Sequence, residues 1–160
     1  MEFRKNDIVT LEIVDCGTDG EGIGKADGFT VFVKDAVIGD TVTAKIMKAK
    51  KNYGYGRLME ILNASPYRVE PVCPSARQCG GCQLQAVSYE EQKVFKEKKL
   101  RGHLERIGGF TNLPMEPLIG MDEPYHYRNK AQFPVGRNKE GRIVTGFYAG
   151  RTHAIIENRD

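Results

Sequence analysis

The sequence has no tryptophan, only three histidines and only four cysteines in 160 residues. No run approaches the roughly 20 apolar residues that a membrane-spanning helix needs, and nothing resembles a secretory signal. A spanning helix and a disulfide-stapled secreted scaffold are therefore not expected, because disulfides are rare inside the cell. The chain reads as a soluble, cytoplasmic, monomeric protein. A large charge of one sign is missing too: 24 Lys+Arg against 21 Asp+Glu leave a net charge of +3, too little by itself to imply nucleic acid. Hydrophobic residues at 40% and charged residues at 28% indicate a globular chain, long enough for one medium domain or two small ones. The placement of charge is more informative than its sum. Lysines gather from Lys45 to Lys51 with no acid among them, and basic residues recur from Lys93 to Arg101 and from Arg128 to Arg142.

Scarce as they are, the cysteines are not scattered. Cys73, Cys79 and Cys82 fall in the stretch C-P-S-A-R-Q-C-G-G-C-Q-L-Q with the spacing C-x5-C-x2-C, where Pro74, Gly80 and Gly81 impose an irregular backbone. Soft sulfur donors on so short a loop suit zinc or an iron–sulfur cluster, and Cys-x2-Cys is the usual bite of both. Such sites take four ligands and the motif supplies three. Cys16 lies far upstream at the end of a strand, and none of His103, His126 and His153 has a spacing that singles it out. The fourth position stays open on this count.

Residues 1–62 read as short strands separated by turns, a pattern that predicts a small β-barrel. Ile8 to Val14, Phe29 to Val33, Thr41 to Ile46 and Tyr53 to Leu62 are the strand segments. The glycine-rich stretch Gly17 to Lys25 is not a phosphate loop: Asp19 stands where the first glycine is needed, and Ala26 where Ser or Thr should follow the lysine. It is expected to be a turn in which glycine permits sharp bends and close packing. Further on, Lys50, Lys51, Tyr53, Tyr55 and Arg57 interleave cations with aromatics, and the two-residue strand period puts Tyr53, Tyr55 and Arg57 on one face. Two readings fit: bases stacking beside a held phosphate backbone, or tyrosines packing on a barrel wall.

Asn63 to Pro71 is a proline-bearing connector at which a domain boundary is placed; by itself it leaves the orientation of the two parts open. Residues 63–160 are expected to hold the cysteine loop, a helix over about 88–107 and antiparallel strands over about 127–157. The helix carries Ser88 as N-cap with Glu91 completing a capping box, stops at Gly108-Gly109, and has Leu100, Leu104 and Ile107 as a buried stripe. Tyr127 to Val135 and Arg142 to Tyr148 read as a hairpin, with Ala154 to Ile156 opening a third strand. On the first of these strands Arg128, Lys130 and Gln132 share one parity, fit for RNA contact or simply for solvent.

The motif C-P-x4-C-G-G-C-x-L-Q, preceded by a small barrel and followed by Y-x2-Q-x3-K and Y-R-N-K-A-Q-F-P-V, resembles the S-adenosylmethionine-dependent RNA uracil-5-methyltransferases. It is most similar to the branch that modifies bacterial 23S ribosomal RNA and carries a [4Fe–4S] cluster. The resemblance implies a mainly β plus α+β architecture: a TRAM domain, an OB-type barrel that grips RNA, over residues 1–62, then part of a central domain over 63–160. It also implies that Cys73, Cys79 and Cys82 are three cluster ligands, with the fourth expected just beyond Asp160, and that Cys16 is a structural thiol. RNA contacts are expected from Lys50, Lys51, Tyr53, Tyr55, Arg128 and Lys130.

In that family a cysteine adds to uracil C6, which makes C5 nucleophilic toward the methyl donor, and a carboxylate then removes the C5 proton from a base taken out of its stack. No glycine-rich cofactor loop and no later cysteine for this step is present, so the 160 residues alone are expected to transfer no methyl group. With three thiolates the cluster is expected to be labile, absent or replaced by zinc. The competing reading is a freestanding zinc or iron–sulfur RNA-binding module with no methyltransferase partner.

Overall fold

The computed structural model describes residues 3–150 and 152–157. Strand β1 (Ile8–Cys16) turns Val9, Leu11 and Ile13 inward and leaves the alternate residues outside, as a period of two requires. Strands β2 (Gly22–Ala26), β3 (Phe29–Lys34), β4 (Thr41–Ala49) and β5 (Tyr53–Asn63) complete a closed barrel of order β1-β2-β3-β5-β4. Neighbours are antiparallel except β3 and β5, which pair in parallel, and β4 closes back on β1. This is the arrangement of a five-stranded OB-like barrel. Closure removes the sheet edges that would otherwise recruit other strands.

The core is aliphatic and small: Leu11, Ile13, Val31, Val33, Val42, Ala44 and Ile46 are essentially inaccessible. Its narrowness depends on glycine at inward positions. A Cβ on Gly22 would stand 2.7 Å from the Ala36 carbonyl oxygen, and one on Gly24 2.7 Å from that of Glu12. The expected turn over Gly17 to Lys25 is thus shorter than its glycine content suggests; β2 starts at Gly22 and Lys25 pairs with Thr30. Asp27 and Gly28 join β2 to β3 with φ of 46° and 81°, the two left-handed residues that match the twist of a two-residue hairpin.

After β5 the chain does not swing free. Asp40, in the β3–β4 loop and fully inaccessible, accepts the N–H groups of Val37 at 2.7 Å and Ser65 at 2.9 Å. Arg68 closes on the same carboxylate, Nη2 to Oδ2 at 2.5 Å and Nε to Oδ1 at 3.1 Å, and its Nη2 also reaches the Asp35 carbonyl at 2.8 Å. Burial alone would raise the Asp40 pKa; the hydrogen bonds from Arg68, Ser65 and Val37 outweigh it and hold the carboxyl below its usual value. The connector is therefore pinned to the barrel. Residues 67–69 then pair with 86–88 through Val69 N–H to Ala86 O at 3.0 Å and Ser88 N–H to Tyr67 O at 2.8 Å.

Helix α1 (Tyr89–Arg106) begins at Ser88, whose side chain accepts the Glu91 N–H at 3.4 Å, with Glu90 and Glu91 at the positive helix end and His103 and Arg106 in the last turn. The expected buried stripe is not the one used. Leu100 is 53% and Ile107 81% exposed, while Leu104 is half-buried. The first half of the helix faces the barrel instead, through Glu91, Gln92 and Phe95, and Lys99 Nζ donates to the Thr18 carbonyl at 3.3 Å. Gln92 explains the choice: its Nε2 donates to the carbonyls of Leu84 and Val87, which fixes the rotation of the first turns.

Beyond the helix a three-stranded antiparallel sheet runs β6 (Val135–Arg137), β7 (Ile143–Tyr148), β8 (Ile155–Glu157). Tyr127 to Pro134 is irregular rather than strand. Pro134 has no N–H to give a ladder and biases Phe133, so pairing starts only at Val135. The turn expected over residues 136–141 starts later, because Gly136 and Arg137 pair with Val144 and Ile143; it is built by Asn138 Oδ1, which accepts the N–H groups of Glu140 and Arg142, and by Gly141 with φ of 78°.

Replacing Asp40 by Asn should destabilise the chain by about 3 kcal/mol, because it leaves Arg68 against a neutral, mispaired group. The lowered carboxyl contributes fully above the unfolded carboxylate value of about 3.9 and loses that contribution as pH falls through the folded value. The stability gap between wild type and Asp40→Asn, measured by urea unfolding, should be constant near neutrality and shrink below about pH 4. A gap that persists unchanged into acid contradicts this account.

Candidate nucleic-acid interface and cysteine loop

Strands β3 and β5 lie side by side with Phe32 opposite Tyr55 in register, so their outward side chains form one surface. Phe32, Tyr53 and Tyr55 cluster there: ring centroids are 5.9 Å apart for Phe32–Tyr53, 5.6 Å for Phe32–Tyr55 and 5.9 Å for the two tyrosines. The trio is partly exposed, on the outside of a barrel whose core does not need it. Cations surround it in register. Lys48 of β4 is opposite Tyr55, while Arg57 stands between Lys34 and Lys45. Lys50 and Lys51 are exposed at the β4–β5 turn, which the Lys50 N–H closes on the Tyr53 carbonyl at 2.8 Å. Four of the expected RNA-contacting residues, Lys50, Lys51, Tyr53 and Tyr55, thus share one end of one face. Phe32 is not among those singled out from the sequence; the signal for it was an aromatic between the inward Val31 and Val33.

Arg128 and Lys130 are placed elsewhere. They are exposed on the irregular segment 121–134, not on a strand face, and neither forms a salt bridge among the described residues.

The cysteine loop closes at its base on the pairing of 67–69 with 86–88, and its interior is a run of turns. Gln85 Oε1 accepts the Cys73 N–H at 3.2 Å and Gln83 Nε2 donates to the Gly80 carbonyl at 3.1 Å, so two glutamines of the motif brace its own backbone. One side of the loop docks on the barrel. Lys34 Nζ donates to the Arg77 carbonyl at 2.8 Å, and Arg77 reaches the Leu58 carbonyl at 3.2 Å and the Asp35 carboxylate at 3.7 Å. Burial pushes the Asp35 carboxyl up against the pull of Lys34, Arg77 and Arg68. The other side docks on the second sheet, where Gly80 N–H donates to the Tyr148 carbonyl at 2.9 Å and Cys79 bridges to Ala149. A Cβ on Gly80 would sit 2.6 Å from that carbonyl oxygen, so only glycine fits.

All four cysteines are free thiols; Cys73 and Cys79 are half-buried and Cys82 is exposed. Cys79 Sγ accepts the Gly81 N–H at 3.3 Å. Cys79 and Cys82 border one cleft, Cys73 and Cys82 its neighbour. As donors the three thiols have the chemistry of a zinc or iron–sulfur site, yet among the described residues no three His, Cys, Asp or Glu side chains are gathered as a metal-holding group. The position expected for a fourth ligand, past Asp160, lies outside the described residues. Cys16 is of another kind. Burial, then the charges of Asp15 and Glu21, push its thiol up to about 11, and it lies beside Phe95 and Ile38 on the helix side of the barrel.

At neutral pH Cys16 should therefore hold about a hundred-fold less thiolate than an ordinary cysteine. In metal-free folded protein, iodoacetamide should label Cys82 first and Cys16 last, read by peptide mass spectrometry. Early labelling of Cys16 contradicts its placement. Gly80→Ala should loosen the loop from β7, seen as faster hydrogen exchange at residues 79–82 with the barrel amides unchanged.

Residues 3–59 match the TRAM domain family. A protein of Halalkalibacterium halodurans, named as an uncharacterised RNA methyltransferase, is 49% identical over 154 residues, which are 96% of this chain and 33% of that protein. Similarly named proteins of Clostridium acetobutylicum and Bacillus cereus are 49% and 46% identical, each over 96% of this chain and 34% and 33% of their own length. The chain thus spans about a third of the curated relatives it matches. Among solved structures, a conserved protein of Methanococcus maripaludis is 28% identical over 36% of this chain and 81% of its own, with a TM-score of 0.34. No helix among the described residues is long and apolar enough to cross a membrane.

Proposed function

We propose that these residues are the RNA-gripping and cluster-bearing portion of an S-adenosylmethionine-dependent RNA (uracil-5-)methyltransferase acting on 23S ribosomal RNA. The observation that carries the RNA part is the outward trio Phe32, Tyr53 and Tyr55, ringed by Lys34, Lys48 and Arg57. Aromatic faces beside cations on a small barrel stack bases and hold the backbone that links them. The TRAM match over 3–59 and the names of the relatives support the same reading. Lys50 and Lys51 contact phosphates next to the trio, and Arg128 and Lys130 contact backbone farther along the RNA.

In this proposal Cys73, Cys79 and Cys82 would supply three thiolate ligands to a [4Fe–4S] cluster, for which the loop would have to draw its sulfurs together. The cluster, when bound, cross-links a loop whose glycines and turns bury little apolar surface of their own. The chain's residues do the rest: Gln85 and Gln83 brace the loop backbone, and Arg77 and Gly80 fix it between barrel and sheet. Methyl transfer itself belongs to the part of the relatives' length that this chain does not span, so its residues here bind and orient RNA.

Binding of a short ribosomal RNA fragment should weaken linearly in log–log plots against salt, and Lys50→Ala and Lys51→Ala should each lower the slope by about one unit. A slope unaffected by both substitutions contradicts the phosphate assignment. Protein purified without oxygen should contain iron and sulfide that Cys79→Ser removes, measured by metal analysis and absorbance. Stoichiometric zinc with no iron would replace the cluster by a zinc site.

A further inference from the structure

The trio does not face open solvent on every side. Between it and the docked cysteine loop lies a cleft of about 350 Å³, at the lower end of the range of about 300–1,000 Å³ typical of small-molecule sites. Phe32 and Tyr55 form its barrel wall, Cys79, Gly80, Cys82 and Gln83 the opposite wall, and Gly150 part of its rim. The two walls belong to segments far apart in sequence, and Lys34 and Arg77 hold them at a fixed separation.

We propose that this cleft receives one unpaired nucleobase of the bound RNA, stacked on the Phe32–Tyr55 wall and covered by the cysteine loop, with its ribose-phosphate left outside on the cationic rim. The inference rests on the RNA-binding reading above and adds to it where the strand goes and in what state.

Charge decides which end of a nucleotide enters. Among the described residues that line the cleft, Asp19 and Glu21 stand with Asp35, which Arg77 already pairs, and Lys34 is the one cation, so a phosphate finds no surplus of positive charge there. Outside it the opposite holds: Lys48, Arg57 and Lys45 stand along β4 and β5 with no acid at the paired positions. A base is neutral, offers a π face to the aromatic wall and presents N–H groups that carboxylates and the Gln83 amide can accept. A paired base cannot enter, because its edge is occupied and its face is stacked within the duplex. The cleft thereby selects unpaired RNA, which an exposed platform alone would do less strictly.

Gly150 provides the test. Among the described residues other than its chain neighbours, a Cβ built there comes within 4 Å of Lys34 Nζ alone, at 3.9 Å, so a small side chain is accommodated at the rim and a large one obstructs the cleft. The experiment is fluorescence anisotropy with a labelled, unstructured ten-residue oligoribonucleotide and with the same sequence as a duplex, using the full chain and variants checked for native circular dichroism. Phe32→Ala should weaken single-strand binding by about 5- to 100-fold, the loss of one stacked base. Gly150→Trp should weaken it by a similar factor while Gly150→Ser leaves it near wild type, and the duplex should bind less tightly than the single strand and respond to neither variant. If Phe32→Ala weakens binding but Gly150→Trp does not, the base lies on the open barrel face and the cleft proposal is overturned while the RNA reading stands. If the wild-type chain binds neither RNA, the RNA reading itself falls and this inference with it.

Discussion

A single buried carboxylate sets the relation between the two halves of the molecule. Asp40 collects two backbone N–H groups from opposite sides of the barrel exit, and Arg68 fills its remaining acceptor positions from the connector. A charge so thoroughly removed from water is tolerated only because every acceptor position is satisfied. With Arg68 fixed, residues 67–69 can pair with 86–88, which closes the cysteine loop and delivers Ser88 to the start of the helix. The loop then lies against the β3–β5 face, where Lys34 and Arg77 fasten it. The juxtaposition of thiols and aromatics thus rests on an ion pair that touches neither together with the Lys34 and Arg77 contacts.

The barrel itself shows how little hydrophobic mass such a framework needs. Its interior is Val, Ile, Leu and Ala opposed by glycine, with Phe3 and Phe29 partly buried against it, whereas Phe32, Tyr53 and Tyr55 lie outside. Their position on the outer surface, beside lysines contributed by the neighbouring strand, is the feature on which the proposed nucleic-acid contact rests.

Local chemistry was readable from the sequence, and long-range chemistry was not. Strict alternation in Ile8 to Val14 and Thr41 to Ile46, Ser88 as N-cap and the polar residues leading to Gly141 each announce their own backbone, because the determining groups lie within a few residues; the return half of the capping box is replaced by Ser88 N–H donating to the Tyr67 carbonyl. The Asp40–Arg68 pair spans 28 positions and leaves no periodic trace. The helix face misled for a related reason: Leu100, Leu104 and Ile107 have the right spacing, but Gln92 and the loop it grips decide which side turns inward. Tyr127 to Pro134 has strand composition, and Pro134 defeats it by withholding a donor. At the site, the cysteine spacing and the Tyr53–Tyr55 pair stood out, whereas Phe32 became visible only when β3 was laid beside β5.

The central claim is that barrel face and cysteine loop are two walls of one RNA site. It is tested most directly by photo-crosslinking the full chain to an oligoribonucleotide carrying 4-thiouridine, followed by peptide mass spectrometry. The account predicts crosslinks from the same labelled position to residues 29–34 or 53–57 of the barrel and to residues 79–85 of the loop. Crosslinks confined to the basic face of the helix, or to residues 121–134, with none on β3, β5 or the loop, would contradict it.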